Sequence, residues 1–299
     1  MEIDNFVQVA VSGIAMGSIY TLTASGLFIA HLTTTKLNFG QGDFLMVAAF
    51  LGMALVRFGV PVPFVILGVV LVLSLFGLIL ERVAIRPLGR FSNLGSGPLA
   101  WILTTIGFGL ILQNVVTLIW GGSAQYSPPL FSAARDNVLL VLGVGVYREE
   151  LAIIAVSVLV IAAFYVFLFR TRWGKAITAV AFNTDTALLL GINVRHTVVL
   201  AWVVASVLAG ISGVLVGPIT AVHPHMGLLF LIKGFAGAII GGFTNPVGLL
   251  IGSLSFGIIE GFSNYFDSSF GDLYPLLLIL LFLVVKPAGL FGEAKADVR

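Results

Sequence analysis

The chain has 299 residues, of which 59% are hydrophobic and 9% charged, with a formal net charge of +2 and a mean hydropathy of +1.12. About a quarter of the residues of a soluble domain are charged, so this chain cannot clothe a water-facing surface, and an all-α polytopic membrane protein follows. Cysteine is absent, which excludes disulfides, thiolate catalysis and cysteine-based metal sites.

The N-terminus, MEIDNF, has two acids and no Lys or Arg. The apolar run behind it is too long for a signal-peptide core and reads as a retained first span. Crossing the hydrocarbon takes about 20 apolar residues in helical form. Candidate segments are 6–30, 44–56, 62–85, 98–120, 150–169, 196–217, 228–243, 247–266 and 273–285, which predicts about nine transmembrane helices, the second, seventh and ninth of them short. Basic residues cluster after the third span (Arg82, Arg86, Arg90), around the fifth-to-sixth connection (Arg170, Arg172, Lys175, Arg195) and after the last span (Lys286, Lys295, Arg299). Nine crossings with the N-terminus outside and the C-terminus cytoplasmic put every cluster inside, as the positive-inside rule asks. The pairs Gly13/Gly17, Gly213/Gly217, Gly237/Gly241, Gly248/Gly252 and Gly257/Gly261 have the small-xxx-small spacing of close helix contacts, and most read as packing within the chain's own bundle.

Between the first two spans stands NFGQGD, residues 38–43. Two glycines in three residues interrupt a helix, and freed backbone groups cannot face lipid unsatisfied. Such breaks are where transporters place a solute pathway. Asn38 and Gln41 read equally as pathway residues and as parts of an ordinary turn. Asp43 reads first as the N-cap of the second span and second as a pathway residue.

In the connection 171–195, too polar to span, Ile177, Val180, Ala181, Ala187, Leu188 and Gly191 fall on one helical face, while Lys175, Thr178, Asn183 and Asp185 lie elsewhere on the wheel. One amphipathic cytoplasmic helix is predicted there. With a single basic residue in its body it suits the groove of a soluble partner better than a lipid surface.

Lys233 lies in the apolar run LLFLIKGFAG. It either snorkels to the interface or faces the pathway. Glu260 reads as an interfacial anchor, and Glu81 with Arg82 as a helix-end pair. Of the neighbours Gln113 and Asn114, at least one is expected to bond another helix. His223-Pro224-His225 has no third ligand nearby, so no metal site is expected. No Walker A pattern, catalytic triad or basic-aromatic stripe occurs, so neither nucleotide hydrolysis nor nucleic-acid binding is expected of the chain.

Several blocks together resemble one family, the LivH/LivM-type permeases of branched-chain amino acid ABC importers. They are GSIYTLTASGLFIAHLTTTKLNFGQGDFLMVAAFLG, LERVAIRPLGR with LTTIGFGLILQNVVTLIWG, RTRWGKAITAVAFNTDTALLLGINV, LAGISGVLVGPI, IKGFAGAIIGGFTNPVGLLIGSLSFGIIEG and KPAGLFG. The likeness spans nearly the whole chain, and its length and outside N-terminus lean toward the LivH-like subunit.

The resemblance implies one permease domain over 1–299 in a bacterial plasma (inner) membrane. Its partners would be a second, LivM-like permease, two cytoplasmic ATPase subunits that hold ATP and Mg, and an external or periplasmic solute-binding protein. The chain itself would be no enzyme and bind no cofactor. The segment 171–195 would couple to the ATPases through Lys175, Asn183, Asp185, Ala187 and Gly191, and the pathway would form between the two permeases beside NFGQGD (Asn38, Gln41, Asp43). The resemblance assigns no individual substrate contact, and Lys233 is a pathway candidate from its place in an apolar run alone. Two departures stand out: Gln41 replaces the histidine usual before the second glycine, and Asp185-Thr186-Ala187 replaces Glu-Ala-Ala. The cargo would be a branched-chain or other small amino acid. Alternatives are a related ABC cargo (urea, an amide, an aromatic or other carboxylic acid), an ion-coupled secondary transporter and a passive channel.

Overall fold

The computed structural model describes residues 2–87, 99–132, 138–141, 144–243, 245–268, 271, 273–286 and 289–291. Arg90, Pro98, Lys295 and Arg299 lie outside them. In chain order the helices are α1 (Glu2–Thr34), α2 (Gln41–Arg57), α3 (Val62–Leu80) continuing into a π-helical turn (Glu81–Ile85), α4 (Leu99–Trp120), α5 (Arg148–Arg170), α6 (Arg172–Phe182), α7 (Thr184–Leu189), α8 (Val194–Val216), α9 (Met226–Gly241), α10 (Pro246–Phe266) and α11 (Leu273–Val285). Helices form over all of the predicted segments. Among the described residues six are long and apolar enough to cross a bilayer. α2 has 17 residues, α9 has 16 and α11 has 13.

Two small antiparallel sheets depart from the all-helical expectation. β1 (Gln125–Tyr126) pairs with β4 (Ala221–Val222), and β2 (Val138–Val141) forms a hairpin with β3 (Val144–Tyr147). Side chains pin this layer and the neighbouring residues 130–131 to the bundle. Arg57 donates to Gln125 Oε1 at 3.0 Å and to the Tyr126 carbonyl at 3.2 Å. Glu149 accepts from the Leu130 amide at 2.6 Å and the Phe131 amide at 3.0 Å.

α1 is the hub, with 89% of its apolar window buried against 22% for α3 and for α4. α3 shows how a helix apolar all round is shared between protein and lipid. Val65, Val69, Leu73 and Gly77 recur every four residues and are buried, whereas Leu67, Leu71 and Leu75 are more than half exposed. The glycine pairs do pack the bundle itself. A Cβ on Gly13 would stand 2.8 Å from the Ile258 Cα, and one on Gly17 2.8 Å from the Leu254 Cα, so α1 and α10 touch backbone to backbone. Gly237 and Gly241 meet Ser253 and Gly248 in the same way between α9 and α10. In lipid, where apolar burial between helices gains little, such close approach supplies the dispersion contacts that hold helices together.

The two ends of the bundle differ. The basic residues gather at the end where α1 finishes: Glu81, buried in the π turn, lies in the field of Arg86, Arg195 and Arg82, which brings the end of α3 to the start of α8. Phe243, just past α9, packs edge-on against Phe28 and His31 near the C-terminus of α1. The small sheets belong to the opposite end, where α1 begins.

Candidate functional site

α1 stops at Thr34, Thr35 takes a positive φ of 55°, and the chain turns back to start α2 inside the bundle. Asn38, Gln41 and Asp43 come together there, all buried. Asn38 Oδ1 accepts from the Gly40 amide at 3.1 Å, and its Nδ2 donates to Gln41 Oε1 at 3.2 Å. Gln41 Nε2 then donates to the Ala205 carbonyl at 2.8 Å, halfway along α8. The polar groups freed by the break are thus satisfied by protein, as a lipid surround demands. Glycines on neighbouring helices make the space. A side chain on Gly26 would meet the Gln41 amide, and one on Gly109 the Asp43 carboxyl.

Asp43 does not cap α2. The cap position is Gly40, with no side-chain cap bond, and Asp43 lies in the first turn. Gln113 Nε2 donates to its carboxyl at 2.7 Å. Gln113 Oε1 faces the exposed His225 Nδ1 at 3.3 Å, so the interhelical bond expected of the Gln113–Asn114 pair is made by Gln113. Asn114 bonds its own helix at the Leu110 carbonyl. Burial, with the neighbouring His225 imidazole, holds His223 below the ordinary imidazole value.

The start of α9 meets the start of α2 head to head: Gly42 and Gly227 each lie against the other's carbonyl. Helix N-termini carry partial positive charge, which favours an acid in the first turn. Asp43 is that acid.

Lys233 is not at the break. Six residues along α9, about 9 Å at the helical rise, its Nζ donates to Glu260 Oε1 at 2.7 Å, with the two side chains 13% and 7% exposed. A mostly buried ion pair is fragile to the loss of one partner. Lys233→Met is expected to cost about 3–5 kcal/mol of stability, and Lys233→Met/Glu260→Met is expected to recover most of it. Resistance of the solubilised protein to heat or protease measures both.

The connection 171–195 is two helices rather than one. Asn183 leaves the helical region (φ −157°, ψ 112°) and caps α7, its Oδ1 accepting from the Thr186 amide at 2.8 Å. That resets the helical phase. Ile177, Val180 and Ala187 are buried, but Leu188 and Gly191 are exposed. Past Asn183 the leucines face outward: Leu189 is 88% exposed and Leu190 73%, beside Phe182 at 94%. A cavity of about 330 Å³ opens between α6 and α7, with Lys175, Phe182, Asn183, Thr186, Ala187 and Leu190 among its walls. Asp185 is exposed next to it, and Gly191 closes α7 with a positive φ of 78°.

Sequence reasoning missed the cradle of Gly26, Gly109 and Gly227, because spacing along one helix does not say which other helix faces it. It also left Lys233 and Glu260 apart. Part of their signal was present: once Gly241 faces Gly248 and Gly237 faces Gly252, the next turn of the α9–α10 hairpin brings Lys233 to the level of Phe256, one helical turn from Glu260, a gap a long lysine side chain can span.

A bundle of apolar helices around a polar, protein-satisfied helix break is the architecture of a membrane permease. The chain belongs to the family described as branched-chain amino acid transport system / permease component, whose profile matches residues 9–285. It is 28% identical to the high-affinity branched-chain amino acid transport system permease protein LivH of Salmonella typhimurium, over 98% of this chain and 97% of that one. It is 29% identical to LivH of Escherichia coli K12 over the same shares. With the permease protein BraD of Pseudomonas aeruginosa it shares 29% identity over 99% of each chain. No solved structure gives a significant match.

Proposed function

We propose that this chain is the LivH-like permease subunit of an ATP-driven importer of branched-chain or other small amino acids in a bacterial plasma membrane. A second, LivM-like permease completes the passage, a solute-binding protein delivers cargo from outside, and two cytoplasmic ATPase subunits hold ATP and Mg. In this reading α2, α9 and α11 are crossing elements too. α2 and α9 are short because each starts inside the bundle, which gives nine in all. The basic end is cytoplasmic and the N-terminus external, as the positive-inside rule asks. The whole of 1–299 is one permease domain.

The observation that carries the proposal is the apolar tip of α6 and α7. Exposed aromatic and aliphatic side chains at the basic end, around a cavity with Lys175 on its wall, suit a soluble partner's groove. Asn183 and Ala187 set the tip's shape, Asp185 and Gly191 flank it, and it transmits ATPase motion to α8. The break at Asn38, Gln41 and Asp43 then borders the solute route, with Lys233 further along α9. Asn38 and Gln41 are bonded inward, so they face cargo only when α2 moves against α8. Affinity extraction of the tagged chain from its native membrane tests the proposal. A second permease and one or two ATPases should accompany it; a chain that stays alone across several mild detergents overturns the reading.

Gly191 separates the tip's surface from its backbone. A Cβ there meets nothing within 4 Å, yet the positive φ makes any side chain cost about 1 kcal/mol. Gly191→Ala and Gly191→Trp share that strain, and only tryptophan adds bulk to the docking face. ATP-driven uptake is expected to survive in the first and to be lost in the second at equal membrane levels. Unchanged uptake with tryptophan would remove the coupling role.

A further inference from the structure

Near the start of α1, between it, the last turns of α10 and the turn after α8, lies a second cavity, of about 420 Å³. This is the external end in the orientation proposed above. The volume is in the range of small-ligand pockets. Val9, Met16 and Ile219 give it apolar walls, and the exposed Asn264 and Tyr265 stand at its mouth.

Its polar groups are one-sided. Ser12 Oγ donates to Glu150 Oε1 at 2.7 Å, Gln8 Nε2 donates to Glu150 Oε2 at 3.2 Å, and Thr220 Oγ1 donates to the Val216 carbonyl at 3.2 Å. Asn264 Nδ2 donates to the Glu260 carbonyl at 3.1 Å. Each of these wall donors is engaged by the protein. The carboxyl of Glu260, 6% exposed, is different. Lys233 holds its Oε1, while its Oε2 is buried and receives no hydrogen bond among the described residues. A buried carboxylate oxygen left unsatisfied is costly and calls for a donor.

We propose that this cavity binds the primary ammonium group of a small aliphatic amine, with Glu260 Oε2 as its acceptor. The buried polar atom left open here is an acceptor, which an anion cannot satisfy. A bare metal ion needs several oxygens around it, and no group of three carboxylates or histidines capable of holding one occurs among the described residues. An ammonium group suits a single buried oxygen, through a short charge-assisted bond, while Val9, Met16 and Ile219 take its aliphatic body. Lys233 positions Glu260 by fixing its other oxygen. Taking the amine to be an imported amino acid rests on the permease reading; its carboxylate would then stay at the wet mouth beside Asn264. The ammonium site itself does not depend on that reading.

The chain has no cysteine, so Thr220→Cys places one thiol on the cavity wall of the full complex in lipid nanodiscs. The readout is its labelling rate with a polar maleimide, in the presence of isopentylamine, leucine or 4-methylpentanoate, which share one aliphatic body. Isopentylamine and leucine should slow labelling, and 4-methylpentanoate, lacking the ammonium group, should not. Adding Glu260→Gln should raise the half-protecting concentration of isopentylamine about tenfold, the worth of one charge-assisted bond. Equal protection by all three compounds, no protection by isopentylamine, or protection unchanged by Glu260→Gln overturns the proposal. Protection by isopentylamine but not leucine upholds the ammonium site and refutes its use for amino acids. Should Glu260→Gln fail to accumulate, the comparison of isopentylamine with 4-methylpentanoate decides alone. Loss of partner subunits on extraction would sink the importer reading and leave this result untouched.

Discussion

A Phe182→Asp/Leu189→Asp variant is expected to accumulate in the membrane at the wild-type level and to lose ATP-driven uptake by about a hundredfold or more. That is the scale of removing two buried apolar anchors worth about 1.5–3 kcal/mol each. In the isolated chain both side chains are almost wholly exposed, so their replacement breaks no internal packing. In a docked complex both would be covered, and each aspartate would have to be dehydrated against an apolar groove. The two readouts therefore separate docking from folding: thermal stability of the solubilised chain should not move, while co-purification of the ATPase subunits and uptake should fall together. Wild-type uptake in this variant would show that the apolar tip is not where ATP hydrolysis is felt.

That tip also shows where the sequence was legible. The place of the apolar helical segments followed from hydropathy alone, because a helix in lipid must satisfy every backbone group within itself. Even the lipid face of α3 obeys the simple periodicity of four. The segment 171–195 defeated the helical wheel because a wheel assumes one continuous helix. Asn183 terminates α6, caps α7 and shifts every later residue in phase, so Leu188 and Gly191 leave the face on which the wheel had placed them. The short helices misled in a different way. Length and composition leave the reach of α2 and α9 open, since their starts are set by a head-to-head contact between two glycines 185 positions apart (227 minus 42). At the break the residue types were legible as polar and buried. Their partners were not, because Ala205, Gln113 and Gly109 are brought there by tertiary packing. Asp43 is the clearest case: as a residue type it suits a cap, and as a neighbour of Gln113 it suits the first turn.

The head-to-head contact carries the second large prediction. Gly42→Ala is expected to destabilise the folded chain by about 3 kcal/mol, the upper range for overpacking a tight core. The added methyl would stand against the Gly227 carbonyl, and backbone, unlike the end of a flexible side chain, yields only if a helix moves. Moving α9 away would pull Gly234 off Thr23, and moving α2 would break the bond from Gln41 to the Ala205 carbonyl. Gly107→Ala is the matched control. It too places a methyl on a glycine of a membrane helix, but nothing lies within 4 Å of it, and alanine is the better helix former, so stability should hold or rise. Melting of the two solubilised variants against the parent reads the difference directly. If Gly42→Ala melts with the parent and transports normally, the starts of α2 and α9 do not meet in the working protein. If it melts early while Gly107→Ala does not, the contact is real. Any opening of a solute route at the break must then proceed by parting these two helix ends, which releases Asp43 from the paired dipoles that favour its charge.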